Sequence, residues 1–156
     1  MKASIVTGAA EGGSPLNAFD NALLAAGLGN VNIVKISSIL PPEADVVDLP
    51  RLKPGSIIPT AYATVTNGTS GMWITAAIGY ARSRDPLKAG VIMEYHGESH
   101  SRATAEQTIR RMLHEALTVR GEQVWKIETV SVDHRVLDFG CVVAAIPLLL
   151  EEVIES

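Results

Sequence analysis

A chain of 156 residues fits one domain of ordinary size, and 47% hydrophobic with only 4% aromatic residues points to a core of Ala, Val, Ile and Leu. Seventeen acidic against thirteen basic residues give a net charge of −4 without any basic run, which argues against nucleic acid as a partner. A lone cysteine, Cys141, precludes an internal disulfide, and neither a signal-peptide pattern nor a bilayer-length apolar run is present, so a soluble protein of the reducing cytoplasm is expected, with no membrane partner.

From the N-terminus, "ASIVT" (3–7) reads as a short strand and "GAAEGG" (8–13) as a loop. That loop lacks the lysine of a Walker sequence and the GxGxxG spacing, so a plain strand-to-helix turn is expected rather than a phosphate cradle. Ser14 and Pro15 suit an N-cap and first helical position. Apolar residues at 16, 19, 23 and 24 then give a short amphipathic helix that stops at Gly27 or Gly29. "NVNIVKIS" (30–37) is rich in β-branched residues and reads as a strand, ended by Pro41 and Pro42. Residues 43–56 read mostly as connection. "SIIPTAYATVT" and "MWITAAIGYARS" on either side of "NGTSG" suggest an antiparallel pair with a Gly-rich turn. "AGVIMEY" is a further strand. Residues 101–120 form the longest helix, with Ala105, Ile109, Met112, Leu113, Ala116 and Leu117 on one face and Gly121 as its stop. "QVWKIETVSVDH" and "FGCVVAAIPLLL" close the chain as strands before an acidic tail. The pattern is α+β, with helices outside paired sheets.

Two histidines four apart, His96 and His100 in "HGESH", have zinc-like spacing, but that spacing works on a helix, and Gly97 argues for a loop. No metal site is expected there. His114 and His134 have no evident partner, and Cys141 sits in a run that reads as buried strand. The serine pair Ser37–Ser38 admits two readings. In one it simply ends a strand; in the other the bond between the two residues is made to break. In the second case the Ser38 hydroxyl attacks the Ser37 carbonyl, the amide becomes an ester, and elimination leaves a residue that hydrolyses to a pyruvoyl group. Such a ketone can capture an amine and draw electrons from its α-carbon, as pyridoxal phosphate does. The dipeptide alone does not choose between the readings.

Its surroundings do. "EGGSPLNAFDNALLAAGLGNVNIVKISSILPPEA", followed by "IPTAYA", "VIMEYHG" and "GCVVAA", resembles the pyruvoyl-dependent arginine decarboxylases over nearly the whole chain. The resemblance implies a four-layer αββα sandwich of antiparallel sheets with outer helices. It implies a single domain, 1–156, cleaved by itself between Ser37 and Ser38 into a β chain (1–37) and an α chain (38–156). It further implies a covalent pyruvoyl group derived from Ser38, a homotrimer of cleaved protomers, and conversion of L-arginine to agmatine. By matching position, Glu94 corresponds to the proton donor, Asp20 to the carboxylate that holds the guanidinium, and Asn32 to a polar contact near the substrate. "TVTNGTSGMW" and "HGESHSR" depart from the family's pattern, which bears on loop shape rather than on chemistry.

The residue types suit these roles. Leu16, Asp20 and Leu23 fall at i, i+4 and i+7 of a helix, so the leucines could line arginine methylenes while Asp20 pairs with the planar head. Glu94 shares a strand face with Ile92, and in a buried cleft desolvation would keep its carboxyl protonated, as a general acid requires. Two rivals stand beside this reading: a pyruvoyl decarboxylase for another amino acid, and an uncleaved, non-enzymatic trimeric binding protein of the same fold.

Overall fold

The apolar alternation expected of the strands resolves into two stacked sheets. In the computed structural model, which describes residues 1–98 and 101–156, the elements are β1 (Lys2–Ala3), β2 (Val6–Gly12), α1 (Pro15–Ala25), β3 (Asn32–Lys35), β4 (Ile39–Leu40), β5 (Asp45–Val46), β6 (Ile57–Asn67), β7 (Trp73–Ser83), β8 (Gly90–Glu98), α2 (Arg102–Val119), β9 (Val124–Arg135) and β10 (Phe139–Leu149). One sheet runs β3-β6-β10-β1-β5, with β2 also beside β10, and the other runs β4-β8-β7-β9.

Three apolar cores separate four layers. Ile74, Ile78, Ile92, Val142 and Ile146 fill the space between the sheets. Ala18, Ala22 and Leu23 of α1 cover the outer face of the first sheet at Cys141, Val143 and Ala145. Ile109, Leu113 and Leu117 of α2 cover the outer face of the second at Ala77, Ala81 and Val91. This is the αββα order that the resemblance implies. The first sheet, however, is mixed rather than antiparallel, since β3 runs parallel to β6 and β1 parallel to β5. For β3 the cause is the helical crossover from β2 through α1, which returns the chain in its original direction. Among the described residues no helix is long and apolar enough to cross a membrane.

Both helices start where their caps predict. The Ser14 and Ser101 hydroxyls accept the N–H groups of Asn17 and Thr104, each at 3.2 Å, and Gly121 leaves α2 at φ 73°. Three local expectations fail. "GAAEGG" is not a loop: β2 extends through Gly12, paired residue by residue with β10. Its glycines serve close packing, because a Cβ at Gly8 would lie 2.2 Å from the Ala22 carbonyl oxygen and one at Gly12 would lie 2.4 Å from the Ala18 nitrogen. The same close approach changes which face α1 buries. Its small residues Ala18 and Ala22 go inward with Leu23, while Leu16 stays 76% exposed. Finally, β6 and β7 are not partners. "NGTSG" carries the chain from one sheet to the other, β6 pairing with β10 and β3, and β7 with β8 and β9. Central β7 is covered on both faces, which explains its nearly unbroken apolar run.

The edges of the sandwich are tied by polar groups. Between β2 and β9, Glu11 Oε2 lies 2.5 Å from His134 Nε2, while Glu11 Oε1 accepts the N–H groups of Asp138 at 2.7 Å and Leu137 at 3.2 Å. His134 therefore has a partner that the sequence did not reveal. Burial alone would push the Glu11 carboxyl up, but those N–H groups and the imidazole outweigh it and hold the group below its ordinary value. A carboxyl depressed in the folded state adds stability above its unfolded value and loses it as pH falls through the folded one. Glu11→Gln is accordingly expected to cost about 1–2 kcal/mol at neutral pH, a Tm loss of about 2–6 °C. The gap to wild type should close as the pH drops below the ordinary carboxylate range. A gap of equal size in acid and at neutrality would show that the charge on Glu11 contributes nothing.

Candidate active site

The chain changes sheets at the serine pair. Ile36 is still bonded to the first sheet, its N–H donating to the Thr60 carbonyl at 3.1 Å. Two residues later the Ser38 carbonyl accepts the Ile92 N–H at 2.7 Å, which continues the pairing of β4 with β8 in the second sheet. Ser37 is the exposed residue between these anchors, and Ser38 is half-buried. What reads as one strand over 30–37 is thus a strand of one sheet, a crossing, and the entry to another. The Ser38 hydroxyl makes no hydrogen bond to a described residue.

In this register Ser38 lies opposite Ile92 and on the same face as Leu40, both of which point into the core between the sheets. Glu94, two residues beyond Ile92, is on that face too, whereas Met93 and Tyr95 turn toward α2. As the diagonal neighbour of Ser38, Glu94 sits at a backbone separation of about 7–8 Å, within reach of a side chain. The register therefore places Glu94 on the strand that Ser38 joins, one pair beyond Ile92.

The structure also adds a residue that sequence reasoning missed. Lys35 Nζ lies 2.9 Å from Glu94 Oε1, donates to the Tyr62 carbonyl at 2.9 Å, and stands 4.7 Å from the centre of the Tyr62 ring. Lys35 alternates with Ile33 on β3, the edge strand of the first sheet, and its ammonium reaches Glu94 on the second. The available signal was a single cation in the apolar run "NIVKISS", three residues before Ser38. The Glu94 side chain is 32% exposed and that of Lys35 53%, so in one chain the cleft is wetter than a fully desolvated acid requires. A pair this open contributes about 0–1 kcal/mol to stability, too little to account for it as a structural tie.

The other expected residues lie elsewhere. Asp20 and Leu16 are on the exposed side of α1, separated from Glu94 by the first sheet, while Leu23 is buried beneath the helix. The Asn32 side chain donates to the Gly55 carbonyl at 3.0 Å, tying the start of β3 to the turn before β6. Two clefts of about 460 Å³ are lined by other residues, one by Arg82, Asp85, Lys88 and Trp125, the second by Val31, Arg51 and Pro54. An exposed apolar rim runs instead from Ile39 (40% exposed) beside the serine pair along β3 through Val34 (50%) to Ile57 (69%), which pairs with Asn32 at the far end of that strand. β8 continues through His96 and Gly97 to Glu98, so the first part of "HGESH" is strand rather than loop, and His100 lies outside the described residues. Cys141 is fully buried, its Sγ 3.3 Å from the Thr64 hydroxyl.

Residues 2–153 match the family model of the pyruvoyl-dependent arginine decarboxylases. A pyruvoyl-dependent arginine decarboxylase of Methanocaldococcus jannaschii is 47% identical over 145 residues, 93% of this chain and 87% of that protein. One of Pyrococcus abyssi is 42% identical over 139 residues, 88% of this chain and 87% of its own. A third, of Methanococcus maripaludis, is 39% identical over 93% of this chain and 88% of its own.

Proposed function

This chain belongs to the pyruvoyl-dependent arginine decarboxylase family, and from that premise we propose that it cuts itself between Ser37 and Ser38 and then converts L-arginine to agmatine and CO2. The observation that carries the reading is the double anchoring of the serine pair, with Ile36 bonded to one sheet and Ser38 to the other. A peptide fixed on both sides, next to a hydroxyl without a hydrogen-bond partner among the described residues, needs little motion to react.

Cleavage proceeds through the chain's own atoms. Ser38 Oγ bonds to the Ser37 carbonyl carbon, the C–N bond breaks, and the hydroxyl proton passes to the freed Ser38 nitrogen. Loss of the Ser38 α-proton and breakage of the Cβ–Oγ bond then release Ser37 as a carboxylate. The dehydroalanine left behind takes up water and expels ammonia. The surroundings of Ser38 fit the resulting pyruvoyl group, since Leu40 and Ile92 flank it on an apolar face and its carbonyl is already held by the Ile92 N–H. That group supplies a ketone that captures the substrate's α-amine and withdraws electrons from the α-carbon. Glu94 delivers a proton to the α-carbon once CO2 has left.

Asp20 takes the guanidinium and Leu16, exposed on the same side of α1, flanks the methylenes, while Leu23 packs beneath the helix; Asn32 makes a polar contact near the substrate. Within one chain Asp20 and Glu94 occupy different layers, so this reading requires a second copy whose α1 abuts the rim of Ile57, Val34 and Ile39. A homotrimer, as the family resemblance implies, provides that neighbour and covers those exposed side chains.

The test is denaturing mass spectrometry of the purified protein, with amine-product assays on arginine, lysine and ornithine for wild type and Asp20→Asn. Wild type should yield fragments 1–37 and 38–156 and prefer arginine. Asp20→Asn should be cut normally yet lose kcat/KM for arginine by about thirty- to a thousandfold, the ~2–4 kcal/mol of a desolvated charge pair left with one partner. An intact wild-type chain would refute the cleavage, and retained arginine preference in the variant would return Asp20 to an ordinary solvated residue.

A further inference from the structure

Lys35 is the cation closest in sequence to the cut, and its ammonium is not free to wander. Two of its contacts, the carbonyl and the ring of Tyr62, belong to the first sheet, and the third is Glu94 on the second. Glu94 has the opposite character. It is a flexible side chain, about one third exposed, and Lys35 is its only hydrogen-bonding or ionic partner among the described residues. The location of the carboxylate is therefore set by a group anchored on the other sheet. Once the chain is cut, the two partners also lie on different fragments, Lys35 in 1–37 and Glu94 in 38–156.

Resting on the reading of Glu94 as the acid, we infer that Lys35 is a positioning residue, which fixes the Glu94 carboxyl beside Ser38 from its seat on Tyr62. Proton delivery depends on a donor held within hydrogen-bond reach of the accepting carbon, and a small misplacement is costly in rate. A carboxyl with free torsions visits that geometry only part of the time. Pairing with Nζ restricts those torsions, while Glu94, about one third exposed, takes the proton it delivers from water in each turnover; neither Ser37 nor Ser38 contributes to the tether. The role belongs to turnover rather than to substrate binding, because Lys35 reaches the site only through Glu94.

The experiment is a double-mutant cycle on the self-cleaved protein, with rates expressed per cut chain. Lys35→Met keeps the length of the stem and removes the charge. It is expected to lower kcat for arginine at least about tenfold while KM stays within about threefold. Lys35→Arg should recover most of the rate, since a guanidinium can bridge the same carboxylate and carbonyl. Combined with Glu94→Gln, Lys35→Met should add less than about twofold, because there is no longer a carboxylate to hold. A Lys35→Met enzyme with wild-type kcat per cut chain overturns the proposal, as does a full additional loss in the Glu94→Gln background. So does a deficit that lies wholly in the fraction of chains cut. If Lys35→Met is slow but Glu94→Gln turns over normally, both fail, and the error lies in the assignment of the acid.

Discussion

Ser38→Ala is expected to remain one uncut chain of 156 residues and to release no CO2 from arginine. Alanine offers no hydroxyl to form the ester and no oxygen to leave in the elimination, so both bond changes at this residue are lost. The fold should survive the change. Ser38 is held through its backbone carbonyl, its hydroxyl has no hydrogen-bond partner among the described residues, and the site is only half-buried. Replacements of that kind usually alter stability by no more than about 0.5 kcal/mol. Thermal melting then separates a chemical effect from a folding one, and a denaturing gel reads the cut. Two fragments from a properly folded Ser38→Ala protein would move the cleavage to another bond.

Glu94→Gln should cost about a hundred- to ten-thousandfold in kcat, the usual contribution of a positioned acid. Glutamine preserves shape and can still accept a hydrogen bond from Lys35, so packing around Ile92 and Leu40 is undisturbed. The lost ion pair is partly exposed and changes stability by about 0–1 kcal/mol at most. The loss should fall on kcat, because Glu94 acts after the substrate is already engaged. Steady-state kinetics on arginine, normalised to the fraction of cut chains, provide the check. Turnover near the wild-type rate would remove Glu94 from the proton-donor role.

How far the site could be read before the structure differed from residue to residue. Ser37, Ser38 and Glu94 were singled out by the family resemblance of their segments, since a serine pair and a strand glutamate are ordinary by themselves; in the fold Glu94 lies on β8, the strand that Ser38 joins. Lys35 was passed over, since a lysine in a strand is ordinary until its ammonium is seen beside Glu94 of the other sheet. His134 was passed over for a similar reason: its partner Glu11 is far away in sequence and stood in what read as a loop. Asp20 shows the converse limit. Its spacing from Leu16 and Leu23 suggested one continuous stripe, yet α1 turns Leu23 inward and leaves the other two in solvent.

By itself the sequence determined the helices, their caps, the long strands and the apolar surfaces that demand cover, because caps and side-chain periodicity act over a few residues. It also determined that the serine pair stands between a β-branched strand and two prolines. The tertiary structure decided which strands meet. Whether β6 pairs with β7 or crosses to another sheet depends on what covers each face, and those partners come from distant segments such as β10 and α2. The same holds for Gly8 and Gly12, which read locally as loop residues and are strand because β2 pairs with the distant β10, with Ala22 and Ala18 of α1 packed against them. Whether Ser37 ends a strand or joins two sheets is settled by Thr60 on one side and Ile92 on the other, and neither is a neighbour in sequence.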